Sequence, residues 1–467
     1  MSKYGAKTTT ANDVAALVKD GMWLDLGCLQ PPQDFDRALA ARVHELSNIH
    51  VRCQCHLYYL HIMDADPEGK VFFLYNWHVL GLSRKYIQEG RGHYIPMNFG
   101  EVHHYYENIE PDIAVAAVSP MDKHGNFNFG PSVSYSKEVL RKAKIKVLEV
   151  NATIPWAYGG YDECVNIADV DYVYDNTSGD KIAEISNPVA TDVDKVIAGY
   201  IADLIPLDGP TLQIGISGLP NAVLSRLGDL GARDIGIHSE MLTESMADLV
   251  DAGVITGKKK TFIPDKIVYT FSLGSRRLYD WMDHNPALAV YPVNFTNDPN
   301  IIAMNRNMVS INAGLGVDLQ GQVSSESIGT MHYTGTGGQL AFHRGAYYRS
   351  SLGQQALGYP ENKGIIAIYS TFTDKDGKLQ SRIKPTLPQG EIVTVPRTDT
   401  SYIVTEYGVA FLRGLSIPER VVEIAKIAHP DFRDWLLDEA RKIKWLGKHF
   451  KIKGLTPEQH VARAAKK

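Results

Sequence analysis

The feature that most restricts the fold of this 467-residue chain is a pattern that occurs twice. Asp20 and Asp208, each followed by glycine, both open a short apolar strand, a glycine-containing turn that ends in proline, and a Leu/Ala/Val pattern of helical spacing. An amphipathic stretch precedes each copy, at 12–19 and at 193–205. Each half is therefore predicted to begin helix, strand, turn, helix, as α/β domains do.

Further strands are predicted from short runs of β-branched and apolar residues, which are typical of parallel sheets buried on both faces. These runs lie at 113–118, 145–150, 365–369 and 392–395. The polar stretch 175–194 contains several Asn, Ser, Gly and Pro residues and is predicted to be the linker. We therefore expect two similar open, mostly parallel α/β domains, at 1–190 and 191–467.

The composition is that of a globular protein, with 44% hydrophobic and 22% charged residues. Lys and Arg number 48 against 53 Asp and Glu, a balance that argues against nucleic acid as a partner. Four cysteines are too few for a disulfide framework, and no apolar stretch has the length of a signal peptide or membrane span. We expect a cytoplasmic location and no membrane partner.

Two possible metal sites are not supported by their spacing. Cys53 and Cys55 alternate on a predicted strand and would point to opposite faces, so buried thiols are expected there rather than zinc ligands. The run that begins at Asp374 resembles a calcium loop, but Pro385 stands where the bidentate glutamate belongs. A hairpin turn at 376–377 is predicted instead, and no metal is expected.

Two glycine-rich turns and one carboxylate are the candidates for a site. Residues 215–220 complete neither a hydrolase elbow nor a dinucleotide fingerprint, yet their backbone N–H groups follow a buried strand and could bind a phosphate or an oxyanion. Glu240 is predicted to lie between a strand at 234–238 and a helix at 241–252, where Ser239 as N-cap with an acidic first turn would be the ordinary alternative. The second turn, 334–339, has three glycines in four positions, which suggests a close backbone approach.

Several longer stretches together resemble the acetyl-CoA hydrolase/transferase family of CoA-transferases over nearly the whole chain. They are NWHVLGLSRK (76–85), HGNFNFGPS (124–132), GISGLPNAV (215–223), GIHSEM (236–241), VDLQGQVSSESIG (317–329), TGTGGQLAF (334–342) and YIVTEYGVAFLRG (402–414). Within that family the chain is most similar to butyryl-CoA:acetate and 4-hydroxybutyrate CoA-transferases. The resemblance thus implies the fold of that family and an enzyme that acts on CoA thioesters.

The resemblance also assigns roles to residues. It makes Glu240 the catalytic residue, which would carry CoA as a thioester between two half-reactions. The CoA contacts it implies are Gly215, Ile216, Ser217, Gly218, Leu219, Leu315, Gly338 and Lys375. Residues 349–362 look like an insertion before Lys375. Ser217 and Ala341 depart from the glycine and aspartate usual in the family, which affects the expected pocket near the acyl group.

The expected activity is transfer of CoA between a short-chain acyl-CoA, with butyryl-CoA as the first choice, and acetate by a ping-pong mechanism. CoA would be substrate and covalent intermediate, with no tightly bound cofactor, and the family suggests a homodimer. Three alternatives stay open: 4-hydroxybutyrate or another short-chain acid as substrate, hydrolysis of acetyl-CoA, and a CoA-binding regulatory protein without turnover.

Overall fold

The computed structural model describes residues 3–347, 362–447 and 450. The predicted insertion at 349–362 lies outside them, apart from Asn362. Contacts group the chain into two compact units. The first unit contains 1–186, 267–296 and 332–337, and the second unit contains 187–266, 297–331 and 338–467. None of the helices in the described part of the chain is both long enough and apolar enough to span a bilayer.

The strands are given in chain order. They are β1 Trp23–Cys28, β2 Ile49–Gln54, β3 Phe72–Asn76, β4 Gly92–Tyr94, β5 Ile113–Val118, β6 Asn126–Asn128, β7 Ile145–Val150, β8 Cys164–Asn166, β9 Tyr172–Asp175, β10 Thr211–Ile214, β11 Gly236–Ile237, β12 Met241–Leu242, β13 Ile267–Tyr269, β14 Phe271–Ser272, β15 Leu288–Val290, β16 Met308–Ala313, β17 Gly316–Asp318, β18 Val323–Ser324, β19 Ser327–Ile328, β20 Met331–His332, β21 Lys363–Ala367, β22 Thr371–Thr373, β23 Leu379–Ser381, β24 Ile383–Lys384, β25 Tyr402–Thr405 and β26 Gly408–Phe411.

The helices are given in the same way. They are α1 Ala11–Ala16, α2 Gln33–Ala40, α3 His61–Ala65, α4 Gly81–Gln88, α5 Val102–Glu107, α6 Ser136–Lys142, α7 Asp192–Ala202, α8 Gly218–Asp229, α9 Glu244–Asp251, α10 Arg276–Met282, α11 Val293–Thr296, α12 Pro299–Ile302, α13 Gln339–Gly345, α14 Ile417–Lys426 and α15 Pro430–Lys442.

The first unit is built on a parallel sheet of seven described strands in the order β4-β3-β2-β1-β5-β7-β9. The strands predicted at 113–118 and 145–150 have those bounds in the structure. Residues Leu24, Val51 and Leu74 point from neighbouring strands into one apolar core. This sheet therefore has the buried apolar strands that the sequence predicts.

A buried carboxylate caps helix α2 in the first unit. Pro32 precedes the helix and offers no side-chain cap, and Glu149 at the end of β7 accepts hydrogen bonds from the backbone N–H groups of Gln33, Asp34 and Phe35. The hydroxyl of Tyr174 also donates to Glu149, as does the amide of Asn176. Glu149 thus satisfies three N–H groups that a helix start otherwise leaves without partners.

The second unit contains a sheet of six described strands in the order β11-β10-β16-β21-β25-β26, all parallel except β26. The strand predicted at 365–369 is β21, which ends earlier, at Ala367. The prediction of a strand at 392–395 is wrong, because within this segment only Val395 forms a bridge, with Val323. Pro396 follows this short segment directly and has no backbone N–H with which to extend the pairing.

The repeated pattern is confirmed. Helix α1, strand β1 and helix α2 in one copy correspond to α7, β10 and α8 in the other. Both repeat glycines, Gly21 and Gly209, have positive φ angles of 76° and 66°, which explains why glycine follows the aspartate in each copy. All strands of the first large sheet lie before residue 190 and all strands of the second lie after it. The domain limits 1–190 and 191–467 stay a prediction, since the compact units share residues across that point.

Candidate active site

Three of the predicted site segments follow neighbouring strands of the second unit's sheet. Gly215 follows β10, Glu240 follows β11 by three residues, and Leu315 follows β16 by two. These strands are adjacent and parallel, in the order β11-β10-β16. The carboxyl ends of parallel strands meet at one edge of a sheet, which is where α/β sheets bind ligands. The second unit therefore brings these residues to one edge.

Glu240 is held there by two N–H donors. The side-chain amide of Asn297 donates to Glu240 Oε2 at 2.6 Å, and the backbone N–H of Gly338 donates to the same carboxylate. The residue is only partly exposed, and desolvation raises the pKa of the carboxyl group to about 7 against the effect of both hydrogen bonds. At neutral pH this side chain is therefore poised between its acid and its anion.

Glycine is required at position 338 because there is no room for a Cβ atom, and not because of the backbone angles. Its φ of −94° suits any residue. A Cβ atom there would lie 1.9 Å from Glu240 Oε2 and 2.4 Å from Asn297 Nδ2. Any side chain at this position would displace the carboxylate or its amide partner, so the second glycine turn reaches Glu240 through residue 338.

Asn297 is a site residue that the sequence analysis missed. It lies between α11 and α12, is 1% exposed, and its Oδ1 atom has no hydrogen-bond partner among the described residues. Nothing in the local sequence marks it, because its partner Glu240 lies in a distant segment of the chain.

The first glycine turn leads directly into α8. Ser217 is extended, occupies the N-cap position and makes no side-chain cap hydrogen bond, and the helix starts at Gly218. A Cβ on Gly218 would lie 2.7 Å from both Asp194 Oδ2 and the Val189 carbonyl, so glycine is required here by space. Leu219 is buried under the turn. Residues 215–219 thus present the start of a twelve-residue helix at the same sheet edge as Glu240.

The predicted contacts Leu315 and Lys375 differ in their surroundings. The backbone of Leu315 is fixed by hydrogen bonds to Ser324 and Arg382. Lys375 lies in the exposed turn of the antiparallel β22–β23 hairpin, which confirms the predicted hairpin. Among the described residues no hydrogen bond or ion pair joins Lys375 to Glu240, so its contact with CoA stays a prediction.

The predicted helix at 241–252 is corrected to α9, Glu244–Asp251, with Thr243 as N-cap. Ser239 is therefore not a cap, and its hydroxyl instead donates to the Ile214 carbonyl at 3.3 Å. Residues 241–242 form the short strand β12, so the backbone is still extended beyond Glu240. The alternative explanation of Glu240 as an acidic residue in a helix's first turn is thereby removed.

Cys53 and Cys55 are buried thiols, as the sequence predicts. Within the described ranges no three His, Cys, Asp or Glu side chains are arranged to hold a metal ion. The structure places the Glu240 carboxylate and its two donors at this edge of the sheet. A carboxylate with a raised pKa and an open side can act as a nucleophile or as a proton carrier.

Comparison with known proteins places this geometry in a family. The family model described as acetyl-CoA hydrolase/transferase N-terminal domain matches residues 1–182, and the corresponding C-terminal domain model matches 274–440. A butyryl-CoA:acetate CoA-transferase from Anaerostipes caccae is 42% identical over 94% of this chain and 97% of that protein.

Solved structures agree. RipA from Yersinia pestis is similar with a TM-score of 0.82 at 34% identity, covering 95% of this chain and 99% of that one. The 4-hydroxybutyrate CoA-transferase abfT-2 from Porphyromonas gingivalis gives a TM-score of 0.73 at 31% identity, covering 94% and 98%. Matches of this extent, over both halves, show that the chain belongs to the acetyl-CoA hydrolase/transferase family.

Proposed function

We propose that this chain is a CoA-transferase that moves CoA between a short-chain acyl-CoA and acetate, with butyryl-CoA as its preferred donor and Glu240 as the carrier. The observation that carries the proposal is the Glu240 carboxylate, held by Asn297 and Gly338 at the end of the second unit's sheet. The likeness to a butyryl-CoA:acetate CoA-transferase supports the choice of substrates.

The reaction proceeds in two half-reactions through Glu240. Its carboxylate oxygen attacks the thioester carbonyl of butyryl-CoA, and the C–S bond breaks. CoA leaves as a thiolate, and a mixed anhydride of Glu240 and butyrate remains. The thiolate then attacks the glutamyl carbonyl, which releases butyrate and leaves a glutamyl-CoA thioester. Acetate attacks this thioester and expels the thiolate, which then attacks the acetyl carbonyl to give acetyl-CoA and free Glu240.

The two donors at Glu240 suit these steps. Each attack on the glutamyl carbonyl turns its oxygen into an oxyanion, and the Asn297 and Gly338 N–H groups already point at an oxygen of this carboxyl group. Donors fixed in advance stabilise such charge without reorganising. CoA would be held by residues 215–219, Leu315, Gly338 and Lys375, with Ser217 and Ala341 shaping the acyl end differently from other members.

The proposal is tested by assaying the purified protein with butyryl-CoA, with and without acetate. We expect acetyl-CoA to form only when acetate is present, and Glu240→Gln to abolish it. Borohydride added after butyryl-CoA should reduce the glutamyl thioester to an alcohol on Glu240, as located by mass spectrometry. Glu244→Gln, four residues away at the start of α9, is the matched control and should keep activity.

Three results would contradict the proposal. Release of free CoA at the same rate without acetate would make the protein a hydrolase. A label on any residue other than Glu240 would refute the assignment of the carrier. No exchange with any short-chain acid would favour a regulatory protein that only binds CoA.

The second candidate substrate is 4-hydroxybutyrate, favoured by the likeness to the P. gingivalis enzyme. A panel of acids offered to the butyryl-CoA-loaded protein separates the two, since a higher kcat/KM for 4-hydroxybutyrate than for acetate would reverse the preference.

We also predict that the protein is a homodimer in the cytoplasm, without a tightly bound cofactor. Sedimentation of the purified protein tests the dimer.

A further inference from the structure

Polar side chains interrupt one face of the second unit's sheet, where apolar residues are expected. Gln213 on β10 is paired in register with Ser310 on β16, and Asn312 lies two residues further along β16. Residues two apart on a strand share a face, and so do partners in a parallel pair. Gln213 and Ser310 are 4% and 0% exposed. Burying such groups is costly unless each is hydrogen-bonded.

The three side chains satisfy one another in a closed ring. Gln213 Oε1 accepts from the Ser310 hydroxyl at 2.7 Å and from Asn312 Nδ2 at 2.9 Å. Asn312 Nδ2 also donates to Ser310 Oγ at 2.9 Å, and Gln213 Nε2 donates to Asn312 Oδ1 at 3.3 Å. Because both oxygens of the amides are engaged within the ring, these residues have little capacity left for a ligand. Their effect must pass through the backbone that they hold.

That backbone leads to three segments of the candidate site. Gln213 is two residues before Gly215, and Asn312 is three residues before Leu315. The side chain of Gln339, next to Gly338, donates to the carbonyl of Ala313 at 3.1 Å, at the end of the same strand β16. The first glycine turn, Leu315 and Gly338 are thus attached to two strands whose ends are tied together by the ring.

We propose that Gln213, Ser310 and Asn312 are positioning residues that hold the backbone of 215–219 and Leu315 in the arrangement that binds CoA. This inference rests on the proposed function for the role of those two segments. A fully satisfied polar network is stiffer than the apolar contacts it replaces. Loss of one member lets the ends of the two strands shift, whereas the contact between Glu240 and Asn297, which lie on neither strand, is kept.

The test compares two substitutions on the same face of the sheet. Ser310→Ala removes one hydroxyl from the ring, whereas Thr211→Val removes a buried hydroxyl on β10 that has no partner among the described residues. We expect Ser310→Ala to raise the Kd for CoA, measured by calorimetry, and the KM for butyryl-CoA by roughly three- to tenfold, the worth of about one hydrogen bond. The kcat should stay within about twofold, and Thr211→Val should change neither constant.

Gln213→Glu gives a second, pH-dependent readout. Its acceptor oxygen keeps the bonds from Ser310 and Asn312, but the ionised group has no hydrogen for Asn312 Oδ1. Protonation restores that donor, so the Kd of this variant relative to the unmodified protein should recover as the pH falls. A purely structural loss of packing would not recover with pH.

The outcomes separate this inference from the proposed function. Unchanged Kd and KM in Ser310→Ala, or an equal rise in Thr211→Val, would overturn the positioning role. If the unmodified protein binds CoA but transfers no acyl group, the proposed function fails while the Kd comparison still decides the role of the ring. Failure of the unmodified protein to bind CoA contradicts both.

Discussion

The ionisation of Glu240 should set the pH dependence of the reaction. Burial raises its pKa to about 7, and only the anion can attack a thioester. We therefore expect kcat/KM for butyryl-CoA to fall by roughly tenfold per pH unit below about 7 and to level off above it. A pH–rate profile of the purified protein measures this, and a flat profile between about pH 5 and 8 would contradict it.

The same burial makes Glu240 costly for stability. In the unfolded chain this group ionises near the ordinary glutamate pKa of 4.5, and in the folded chain its pKa is about 7. The folded state therefore binds more protons between these values and loses stability as the pH rises through them. Glu240→Gln should raise the free energy of unfolding by roughly 3 kcal/mol at pH 8. Urea titrations at pH 8 and pH 4.5 check this, since the gain should vanish at the lower pH.

Gly338→Ala tests the space around the carboxylate. The backbone angle accepts alanine, but the new Cβ would overlap Glu240 Oε2 and Asn297 Nδ2. We expect a folded protein whose kcat falls by roughly 10²–10³, the usual loss when one fixed donor is removed. Gly199→Ala is the control, because Gly199 lies within α7 with nothing within 4 Å of its Cβ position. The Gly199→Ala protein should keep full activity. A Gly338→Ala protein with full activity would contradict the overlap of a Cβ at position 338 with Glu240 and Asn297.

Part of the site was predictable from residues, and part was not. Glu240, residues 215–219 and Gly338 stand in continuous motifs of a recognisable family, so the sequence could name them as candidates. Asn297 was missed because its hydrogen bond to Glu240 exists only after the chain has folded. The ring of Gln213, Ser310 and Asn312 was missed for the same reason, since strand pairing creates it.

At the scale of elements, helix α2 depends on a residue far from it in sequence. Glu149→Leu would leave the N–H groups of Gln33, Asp34 and Phe35 without their acceptor inside the first unit. We expect it to lower the free energy of unfolding by roughly 3–5 kcal/mol, as for other broken buried charged networks. Denaturant titration measures the loss.

The control for that substitution is Glu439→Gln. It breaks an i,i+3 ion pair with Lys442 on α15, whose lysine is 68% exposed. A surface pair of this kind is worth less than about 1 kcal/mol. Equal losses for the two variants would contradict the capping role of Glu149.

Strand predictions succeeded where both faces of a segment are buried and failed where neighbours decide the backbone. Segments 113–118 and 145–150 are rich in β-branched and apolar residues and lie in the middle of a parallel sheet, and their bounds were predicted correctly. Segment 392–395 is similar in composition, but only Val395 forms a bridge, and Pro396 directly after it has no backbone donor. The start of α9 was misplaced because a short strand, β12, intervenes after Glu240.

At the scale of the molecule, the repeat predicted two α/β halves, and the two large sheets confirm them. The return of 267–296 and 332–337 to the first unit could not be predicted, since no local pattern in these segments marks which sheet they join. The periodicity of apolar residues predicts which face of a segment is buried, but not which sheet or compact unit that face packs against. The order of helices and strands at the start of each half was therefore predictable, whereas the compact unit to which segments 267–296 and 332–337 belong was not.

The capped start of α2 has a consequence for how many CoA molecules one chain binds. The turn between β1 and α2 is the repeat's counterpart of the turn before α8, and the protein's own anion, Glu149, already fills it. A second anionic ligand would have to displace a buried carboxylate with five hydrogen-bonding partners. Although the fold is duplicated, calorimetric titration should therefore give a stoichiometry of one CoA per chain. A value of two would mean that the first copy of the repeat also remains open to ligand.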